Sequence, residues 1–456
     1  MSKRDIAAIV LCAGRGTRMA SDAPKVLHPL AGRPMIAHLM ESLDRLSPGR
    51  VVVVVGTGME AVAEAVAPHR TVVQDPPLGT GHAVMAAKKA LRGFTGDVLV
   101  VFGADPLITP ATMRRMIKAR RAKGDPAVVV LGFRPIDASN YGRLIVGDDG
   151  SLEAIVEARD ATPAERRIGL CNSGLMAVDG AVLFRLLGRI GADNAKGEHY
   201  LTDIVAVARA EGRRCAVIEG DADELIGVDS RADLARAEAV VQARLRAKAM
   251  KRGATLIAPD TVHLSFDTRL GRDVVVGPYV VFGRGVRVER GAEIRSFTHI
   301  EGATIGAGTF VGPFARLRPG TRIGRDAKVG NFVEVKNAVI GDGAGAAHLT
   351  YIGDARVGAG ANVGAGTITC NYDGVAKHWT DIGAGAFIGS NTALVAPVKV
   401  GDGAIVGAGS VITQDVAANA LALTRAPARE VEGGGARMRK RLRSGKKAAS
   451  KRRGKT

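Results

Sequence analysis

The sequence predicts two differently built domains, an α/β domain with a mainly parallel sheet followed by a parallel β-helix. In the first half, short apolar segments typical of buried strands alternate with helical segments, which is the pattern of a mainly parallel sheet. In the second half, small apolar residues recur every six positions, a period that neither an α-helix nor an ordinary strand has. The length of 456 residues also exceeds what one compact core supports.

The positive charge is unevenly distributed. The formal net charge is +19, but residues 437–456 contain 11 Lys or Arg and no acid, so the other residues carry +8, the difference between these two numbers. This modest excess suits an enzyme that handles phosphorylated substrates. The low-complexity tail is predicted to be disordered. Because no aromatic residues interleave its cations, we expect only non-specific, salt-sensitive binding to nucleic acid.

The cysteines and the apolar segments indicate a cytoplasmic protein. The four cysteines, Cys12, Cys171, Cys215 and Cys370, have neither paired nor metal-ligand spacing, so we expect reduced thiols. No apolar run approaches the roughly 18 residues of a membrane helix. The N-terminus leads directly into a strand, so we expect no export and no membrane insertion.

A glycine-rich segment follows the first predicted strand, Ile6–Leu11. Residues 12–19 read CAGRGTRM, and PKVL follows at 24–27. Backbone N–H groups of such a turn can surround phosphate oxygens while Arg and Lys neutralise their charge. Taken alone, the glycine turn is equally compatible with a simple tight turn, and it matches neither the Walker nor the Rossmann spacing.

Further strands and helices alternate along the first half. We predict strands at 51–55 and 98–102 and a helix at 59–66. Parallel sheets of this kind bind ligands at the carboxyl ends of their strands. Asp105 follows the strand at 98–102, and a carboxylate there, beside bound phosphates, is a suitable Mg²⁺ ligand.

The combination LxAGxGTRM…PKVL, together with QDPPLGTGH at 74–82, resembles the sugar-1-phosphate nucleotidyltransferases. The resemblance implies a Rossmann-like fold of the nucleotide-diphospho-sugar transferase type and UTP as the nucleotide. It implies that Arg18 and Lys25 stabilise charge during uridylyl transfer, and it places residues 198–204 at the rim of the sugar pocket. The residues that it assigns to UTP and the N-acetylglucosamine product are Leu11, Cys12, Ala13, Gly14, Lys25, Gln74, Gly79, Thr80, Gly142, Glu157, Asn172 and Asp229.

The expected metal ligands depart from this family's pattern. The family has Asp directly after the glycine, whereas here Ala104 holds that place and Asp105 comes one residue later. A shift of one residue turns a side chain to the other face of a strand, although a loop can absorb it. Asp229 stands where the family has Asn, and it keeps an oxygen ligand. We predict Asp105 and Asp229 as the Mg²⁺ ligands.

A helical pattern separates the two domains. Leu234, Ala237, Val241 and Leu245 recur at helical spacing over 231–252, and Gly253 follows. A basic helix lying on a membrane is one interpretation, but the apolar face is mostly alanine, which favours a packed linker. The predicted boundaries are 1–230 for the nucleotidyltransferase domain, 231–253 for the linker, 254–430 for the β-helix and 431–456 for the disordered tail.

The six-residue repeat contains interruptions that carry polar residues. The step falls to five from Ile300 to Ile305, from Val335 to Ile340 and from Ile352 to Val357. The last two steps bracket His348, the only histidine of this middle stretch. A lone histidine is more often structural than catalytic, but polar companions favour a function here.

Two cations support a phosphate site near this histidine. Arg318 and Lys336 are 18 residues apart, which is one coil of three hexads, so they should share one face in successive coils. A histidine can accept the proton of an amine that attacks a thioester. Residues 370–377 interrupt the hexads and should protrude as a loop that could reach a neighbouring subunit.

With these residues the chain resembles the bacterial family of bifunctional glucosamine-1-phosphate N-acetyltransferases and N-acetylglucosamine-1-phosphate uridylyltransferases, from Ile6 to about Arg425. The resemblance implies a left-handed β-helix, a homotrimer, and acetyl-CoA and UTP as co-substrates. His348 would be the general base. The residues implied for the amino-sugar phosphate are Arg318, Lys336, Tyr351, Asn362 and Lys377. Those implied for acetyl-CoA are Ala365, Asn371, Tyr372, Ser390, Ala408 and Arg425.

Three alternatives remain beside the two-site enzyme. One is a nucleotidyltransferase with a single activity, whose β-helix is only a scaffold or a regulatory domain. A metal-dependent β-helix hydratase would need a histidine cluster that the repeat region lacks. A basic scaffold protein without activity would leave both ordered sets of polar residues unexplained.

Overall fold

The computed structural model describes residues 5–194 and 197–453. Residues 1–4 of the predicted first domain and 454–456 of the predicted tail lie outside these ranges. The chain forms two compact units, one of residues 1–269 with Val281–Gly285 and one of Leu270–Val280 with residues 286–456. The two units are described separately below.

The first unit is built on a nine-stranded sheet. Its strands are β1 (Ile6–Leu11), β2 (Arg50–Gly56), β3 (Arg70–Gln74), β4 (Asp97–Phe102), β5 (Val128–Phe133), β6 (Arg143–Val146), β7 (Leu152–Val156), β8 (Cys171–Asp179) and β9 (Cys215–Glu219). The main order is β9-β5-β8-β4-β1-β2-β3, with the hairpin β6-β7 paired to β8. All neighbours along this order are parallel except β8, which is antiparallel to both β4 and β5. The predicted mainly parallel sheet is confirmed.

Helices accompany this sheet and enclose two apolar clusters against it. They are α1 (Met35–Leu46), α2 (Glu60–Ala65), α3 (Thr80–Ala86), α4 (Pro110–Arg120), α5 (Gly180–Leu187), α6 (Ile204–Ala210) and α7 (Arg231–Lys251). Alternate residues of β1 divide between the clusters, with Ile9 in one and Val10 in the other. The sheet is therefore buried on both faces, which explains the continuous apolar runs of its central strands.

Helix α7 belongs to the first unit, whereas the sequence predicted a separate linker. Ser230 and Asp233 form a capping box at its start. Ala237 and Val241 are buried in a cluster with Leu30, Met35 and other residues of the first unit. This packing moves the division between the units to about residue 270, beyond the predicted boundaries at 230 and 253.

The second unit consists of short parallel strands stacked in coils. The strands from residue 275 onward that are described as part of this unit are Val275–Val276, Arg287–Val288, Glu293–Ile294, His299–Ile300, Ala303–Ile305, Phe310–Val311, Arg316–Leu317, Thr321–Ile323, Lys328–Asn331, Glu334–Ile340, Gly345–His348, Tyr351–Val357, Asn362–Val363, Ile368–Cys370, Thr380–Ile382, Phe387–Ile388, Ala393–Val395, Val398–Val400, Ile405–Val406, Val411–Ile412 and Leu421–Ala422. Each pairs in parallel with a strand one coil away, for example Val311 with Val329 and Leu317 with Val335. The predicted parallel β-helix is confirmed.

The six-residue columns form the interior of this unit. Every predicted column residue from Val276 to Ile412 is at most 4% exposed, including those on either side of the five-residue steps. The column continues through those steps because the polar corner, and not the apolar position, absorbs the missing residue. One corner carries four stacked aromatic rings, Tyr279, Phe297, Phe314 and Phe332, at centroid distances of 4.9–5.1 Å.

The basic tail differs from the sequence prediction. Helix α8 occupies Gly434–Arg453, where disorder was predicted, so that prediction was wrong for these residues. The physical reason is local propensity, since Ala, Met, Leu, Lys and Arg all favour helices. In the part of the chain that the structure describes, no helix combines the length and apolar character needed to cross a bilayer.

Candidate functional site

The first group of candidate residues lies at the carboxyl ends of β1 and β4. Leu11 pairs with Phe102, and the Leu11 carbonyl accepts a hydrogen bond of 2.9 Å from the N–H of Gly103. The glycine-rich turn that begins at Cys12 therefore lies beside the segment that leads to Asp105. Burial raises the pKa of the Cys12 thiol to about 12, so the thiol stays protonated. The backbone N–H of Cys12 donates to the Val54 carbonyl at 2.7 Å.

Two predicted cations meet one predicted metal ligand in this group. Lys25 Nζ lies 2.6 Å from Asp229 Oδ1, and an Arg18 guanidinium nitrogen lies 3.0 Å from Asp229 Oδ2. Burial alone would raise the pKa of Asp229, but Lys25 and Arg18 outweigh it and hold that pKa below its usual value. Lys25 and Arg18 thus share one carboxylate although they are about 200 residues from it in sequence.

Asp105 follows β4 and lies close to Lys25 and Asp229. A hydrogen bond of 2.9 Å from the Val228 N–H to the Ala104 carbonyl aligns the two segments. Asp105 is 6% exposed, and burial raises its pKa to about 7, with Lys25 lowering the pKa and Asp229 raising it. Among the described residues, nothing donates a hydrogen bond to Asp105 Oδ2. The buried Asp105 oxygen without a partner and the nearby carboxylate of Asp229 are together suitable ligands for a divalent cation.

The loop predicted to hold uracil is fixed by backbone contacts. Buried Gln74 donates from Nε2 to the Gly79 carbonyl at 3.0 Å. Gly79 has a φ of 103°, and a Cβ there would meet the backbone of His199, so only glycine fits. Thr80 Oγ1 accepts from the Leu201 N–H at 2.9 Å. The contacts of His199 and Leu201 were not predicted as single residues, because nothing in the sequence pairs positions about 120 residues apart.

The residues predicted to bind the sugar also lie together. The Gly142 carbonyl accepts from the Asn172 N–H at 2.8 Å, and Asn172 Oδ1 accepts from the Gly174 N–H at 2.9 Å. Thr202 Oγ1 lies 3.4 Å from Glu157 Oε1. Gly142 and Asn172 therefore contact each other, and Glu157 lies beside both Gly142 and the segment 198–204.

The second group is built on the β-helix around His348. Strand Gly345–His348 pairs with Lys328–Asn331, and this register places His348 beside Asn331 one coil earlier. His348 Nδ1 lies 2.7 Å from Asn331 Oδ1. With the amide oxygen as the acceptor, Nδ1 carries the proton and the exposed Nε2 keeps its lone pair. Asn331 belongs to a motif noted in the sequence, but no role was predicted for it; its 17-residue distance from His348 was the available signal.

His348 begins a column that also contains residues predicted to bind acetyl-CoA. The strand registers place His348, Ala365, Ser390 and Ala408 on successive coils of one corner. Arg425 extends this column, since its guanidinium donates to the Ala408 carbonyl at 3.2 Å. Asn362 lies on the face that leads to this corner, paired with Gly345.

The predicted phosphate-binding cations lie at the next corner. The Arg318 N–H bonds to the Val335 carbonyl at 2.9 Å, so Arg318 and Lys336 occupy successive coils of one face, as predicted. Contact with Lys377 lowers the pKa of Lys336, and Arg318 acts in the same direction. Glu334 Oε1 pairs with Arg318 at 2.9 Å. Tyr351 lies one coil above Glu334.

The remaining predicted residues belong to a loop between the strands Ile368–Cys370 and Thr380–Ile382. Asn371 begins this loop, and its carbonyl accepts from the His378 N–H at 2.8 Å. Tyr372 pairs with Lys377 across the loop. Asp373 accepts from the N–H groups of Val375 and Ala376 at 2.8 and 2.7 Å. From Tyr372 to Lys377 the loop is exposed, whereas Asn371 at its start is buried.

Within one chain, the two sets of β-helix residues are on adjacent corners. The corner of His348 carries Ala365, Ser390, Ala408 and Arg425, whereas the next corner carries Lys336, Asn371, Tyr372 and Lys377. One face, which holds Tyr351, lies between them. Within one chain, the face that holds Tyr351 therefore separates His348 from Lys336.

Comparison with known proteins covers both groups. Residues 8–167 match the model of the MobA-like NTP transferase domain, and residues 302–337 and 380–414 match the bacterial transferase hexapeptide repeat. The bifunctional protein GlmU of Rhodospirillum rubrum is 64% identical over 437 residues, which are 96% of this chain and 98% of that protein. The GlmU of Paramagnetospirillum magneticum is 60% identical over 96% of this chain and 98% of its own length. The chain belongs to the GlmU family.

Membership of the GlmU family confirms the predicted enzyme class, a bifunctional transferase, over a nucleotidyltransferase with an inactive β-helix. The relatives match this chain through both units, and their printed name is that of a bifunctional protein. The GlmU of Sphingopyxis alaskensis adds a further match, 57% identical over 92% of this chain and 93% of that protein. Nucleotide and acetyl-CoA substrates agree with this family.

Proposed function

We propose that the protein synthesises UDP-N-acetylglucosamine in two steps at two separate sites. The first step transfers acetyl from acetyl-CoA to glucosamine-1-phosphate on the β-helix. The second transfers uridylyl from UTP to N-acetylglucosamine-1-phosphate in the α/β unit and releases pyrophosphate. The observation that carries the proposal is the sequence identity of 60% and 64% to two bifunctional GlmU proteins along both units.

Acetyl transfer requires a base, because the amino group of the sugar must lose a proton as it attacks the thioester. His348 is exposed and held at Nδ1 by Asn331, so its Nε2 can take that proton. The new C–N bond forms, the C–S bond breaks, and CoA leaves as a thiolate that is then protonated. Arg318, Lys336 and Lys377 supply positive charge for the phosphate of the amino sugar.

Uridylyl transfer needs charge neutralisation more than a base. A phosphate oxygen of the sugar phosphate attacks the α-phosphorus of UTP, and the bond to the β-phosphate breaks to release pyrophosphate. Lys25 and Arg18 lie beside the glycine-rich turn and can stabilise the charge that develops on these oxygens. Gln74, Gly79 and Thr80 would orient the base, and Gly142, Glu157 and Asn172 the sugar.

Mg²⁺ fits the carboxylates of the first site. Asp105 and Asp229 would hold it, because Asp105 Oδ2 is buried without a hydrogen bond and both carboxylates lie close to Lys25. In the described ranges no cluster of three or more His, Cys, Asp or Glu residues forms an all-protein metal site. Mg²⁺ commonly uses one or two carboxylates and takes its other ligands from phosphates and water. When bound, it would neutralise phosphate charge.

A homotrimer is part of the proposal. His348 and the lysines are on adjacent corners of one chain, and the loop that follows Asn371 is exposed from Tyr372 to Lys377. A neighbouring copy could complete an acetyltransferase site from one corner of each chain. We also propose that the protein acts in the cytoplasm, where its four unpaired cysteines stay reduced.

The test supplies the wild-type protein with glucosamine-1-phosphate, acetyl-CoA, UTP and Mg²⁺. We expect thiol release, pyrophosphate release and UDP-N-acetylglucosamine in equal amounts. Pyrophosphate release from N-acetylglucosamine-1-phosphate without any thiol release from glucosamine-1-phosphate would contradict the two-step proposal and restore the alternative with an inactive β-helix. Light scattering of the same sample measures the oligomeric state, for which three chains are expected.

A further inference from the structure

A buried carboxylate lies beneath the second site and has no role in the mechanism above. Asp354 is 7% exposed and belongs to a corner column that the strand register defines as Asn337, Asp354 and Asn371. Asp354 has a φ of 46°, and Asn337 has a φ of 45°. Both are therefore corner residues in the left-handed region, which Asp and Asn tolerate better than most residues.

The carboxylate connects the coil below to the coil above. Asn337 Nδ2 donates to Asp354 Oδ1 at 2.7 Å, and Asn371 Nδ2 donates to Asp354 Oδ2. Asn371 is itself 7% exposed, so its side chain is fixed in the interior of the corner. Hydrogen bonds to a buried charged acceptor are stronger than those between neutral groups, and losing one leaves a desolvated group behind.

Asn371 is also the stem of the loop that carries Tyr372 and Lys377. Its N–H donates to the Thr369 carbonyl at 2.9 Å, and its carbonyl accepts from His378 at 2.8 Å. A change in the orientation of Asn371 would therefore move both ends of the loop. Other hydrogen bonds, from Val375 and Ala376 to Asp373 and from the Tyr372 hydroxyl to the Gly374 carbonyl, lie within the loop, whereas Lys377 also contacts Lys336 on the coils.

The same carboxylate is close to the cations. Lys336 pairs in register with Gly353, the residue before Asp354. Lys377 and Arg318 lower the pKa of Lys336, and Asp354 acts in the opposite direction. A negative charge at this corner thus offsets part of the repulsion that Lys336 and Lys377 exert on each other.

We propose that Asp354 is a positioning residue of the acetyltransferase site, which holds Asn371 and thereby the loop from which Tyr372 and Lys377 reach the substrates. The inference rests on the proposed acetyl transfer. Asp354 acts through Asn371 because the carboxylate is buried and both of its oxygens are bonded to amides. Its negative charge also keeps the two lysines together at the phosphate end.

The test compares the wild type with Asp354→Asn, which has the same shape but no charge. Its new amide NH₂ group would face the NH₂ group of Asn337 or Asn371. We expect the KM for acetyl-CoA to rise at least about 10-fold, with kcat changed less, because the loss of a charge-assisted hydrogen bond corresponds to roughly that factor. Pyrophosphate release should stay within two-fold of the wild type, because the residues of that site lie in the other unit. Asp326→Asn is the matched control, since Asp326 is an exposed corner residue with a φ of 54°.

Hydrogen exchange supplies a readout that does not depend on activity. In Asp354→Asn we expect the amides of Val375, Ala376 and His378 to exchange at least 10-fold faster, while the core strands of the β-helix stay protected. General loss of protection would indicate a purely structural role and would contradict the inference. Unchanged loop exchange together with an acetyl-CoA KM within two-fold of the wild type would also overturn it.

Three further results separate the possible failures. A wild type without thiol release would refute the proposed acetyl transfer, while the exchange measurement would still test the loop. Asp354→Ser, which keeps one acceptor oxygen, replaces Asp354→Asn if the latter does not fold, and the same direction of change is expected. Asn337→Ala removes the lower partner only, so a positioning role through Asn371 predicts an acetyl-CoA KM within about three-fold of the wild type.

Discussion

The two candidate sites gather their residues by different geometry. In the α/β unit, the key contacts join segments far apart in sequence, as Lys25 with Asp229 and Thr80 with Leu201. In the β-helix, the contacts join residues one coil apart, as Asn331 with His348 and Asn337 with Asp354. The first arrangement depends on how loops follow a sheet, and the second depends on a coil register, which is 17 or 18 residues at these contacts and 25 residues across the loop that begins at Asn371.

This difference predicts how each site responds to change. A one-residue shift within a loop of the first site can be absorbed, as the position of Asp105 illustrates: it is one residue late and still lies beside Lys25 and Asp229. In the β-helix, a change of length within a strand moves side chains away from their columns, whereas the corners absorb such changes, as at the five-residue steps and at the loop that begins with Asn371. The second site should therefore tolerate insertions at its corners better than insertions within its strands.

Removing a cation should give the largest effect in the α/β unit. Lys25→Ala deletes the ammonium that contacts Asp229, and we expect pyrophosphate release to fall by about 10²–10³-fold, as for the loss of one preorganised charge donor. Thiol release should stay at the wild-type level, because the acetyltransferase residues lie in the other unit. Lys88→Ala, an exposed lysine of the same unit, is the control and should retain both activities.

Removing a proposed metal ligand should give a smaller effect in the same unit. Asp105→Asn replaces the carboxylate by a neutral amide, so the Mg²⁺ concentration that gives half-maximal pyrophosphate release should rise at least about 10-fold. The exposed Asp137→Asn should leave it unchanged. An unaffected Mg²⁺ dependence in Asp105→Asn would mean that the displaced aspartate is not the ligand and that another group replaces it.

The pH dependence of the unfolding free energy provides a test that applies to the first unit. His38 Nε2 lies 2.8 Å from the Leu30 carbonyl and Nδ1 lies 3.1 Å from an Arg33 nitrogen, which is the pattern of a neutral imidazole. Burial, with Arg33 acting in the same direction, lowers the pKa of His38 to about 4. The unfolded chain binds this proton from about pH 6.5 downward and the folded chain does not, so His38 destabilises the first unit as the pH falls from 6.5 to 4.

The expected size of this term is about 2 kcal/mol between pH 7.5 and 4.5. His38→Gln can donate to Leu30 and accept from Arg33 but does not titrate. The variant should therefore lose less stability over this range than the wild type, measured as the free energy of opening from hydrogen exchange of the β1 and β2 amides. Equal pH dependence in the two proteins would show that His38 is not buried in its neutral form.

Deleting the basic tail should have the smallest effect. Helix α8 is exposed at every residue whose side chain is described from Arg437 to Ser444, and none of the candidate site residues belongs to it. Removal of 437–456 should leave thiol and pyrophosphate release within two-fold of the full chain. A larger loss of either activity would give the tail a catalytic or assembly role.

The sequence predicted more of the β-helix than of the α/β site. A period of six determines which side chains are buried, and the 18-residue distance from Arg318 to Lys336 correctly predicted their shared face. The hydrogen bonds of Asn331 and Asp354 follow the same rule at 17 residues, but the five-residue steps hid them. By contrast, no spacing relates Lys25 to Asp229 or Gly79 to His199; the first grouping followed from the family resemblance alone, and the second was not predicted.

The predictions for helices α7 and α8 were less accurate, because each was made from local composition without knowledge of the surrounding residues. Helix α7 was correctly predicted in extent but assigned to a linker, because its small apolar face gave no indication that Leu30 and Met35 cover it. The tail was predicted to be disordered from its charge, whereas its residues also favour helices. In both cases the local pattern was clear, and the missing information was what surrounds the segment.

The central claim is that one chain carries two independent active sites, and His348→Ala tests it most directly. Thiol release with glucosamine-1-phosphate and pyrophosphate release with N-acetylglucosamine-1-phosphate are measured on the same preparation. Loss of the general base should reduce thiol release by about 10²–10⁴-fold and leave pyrophosphate release unchanged. Loss of both activities in a folded protein, or an unchanged rate of thiol release, would contradict the account.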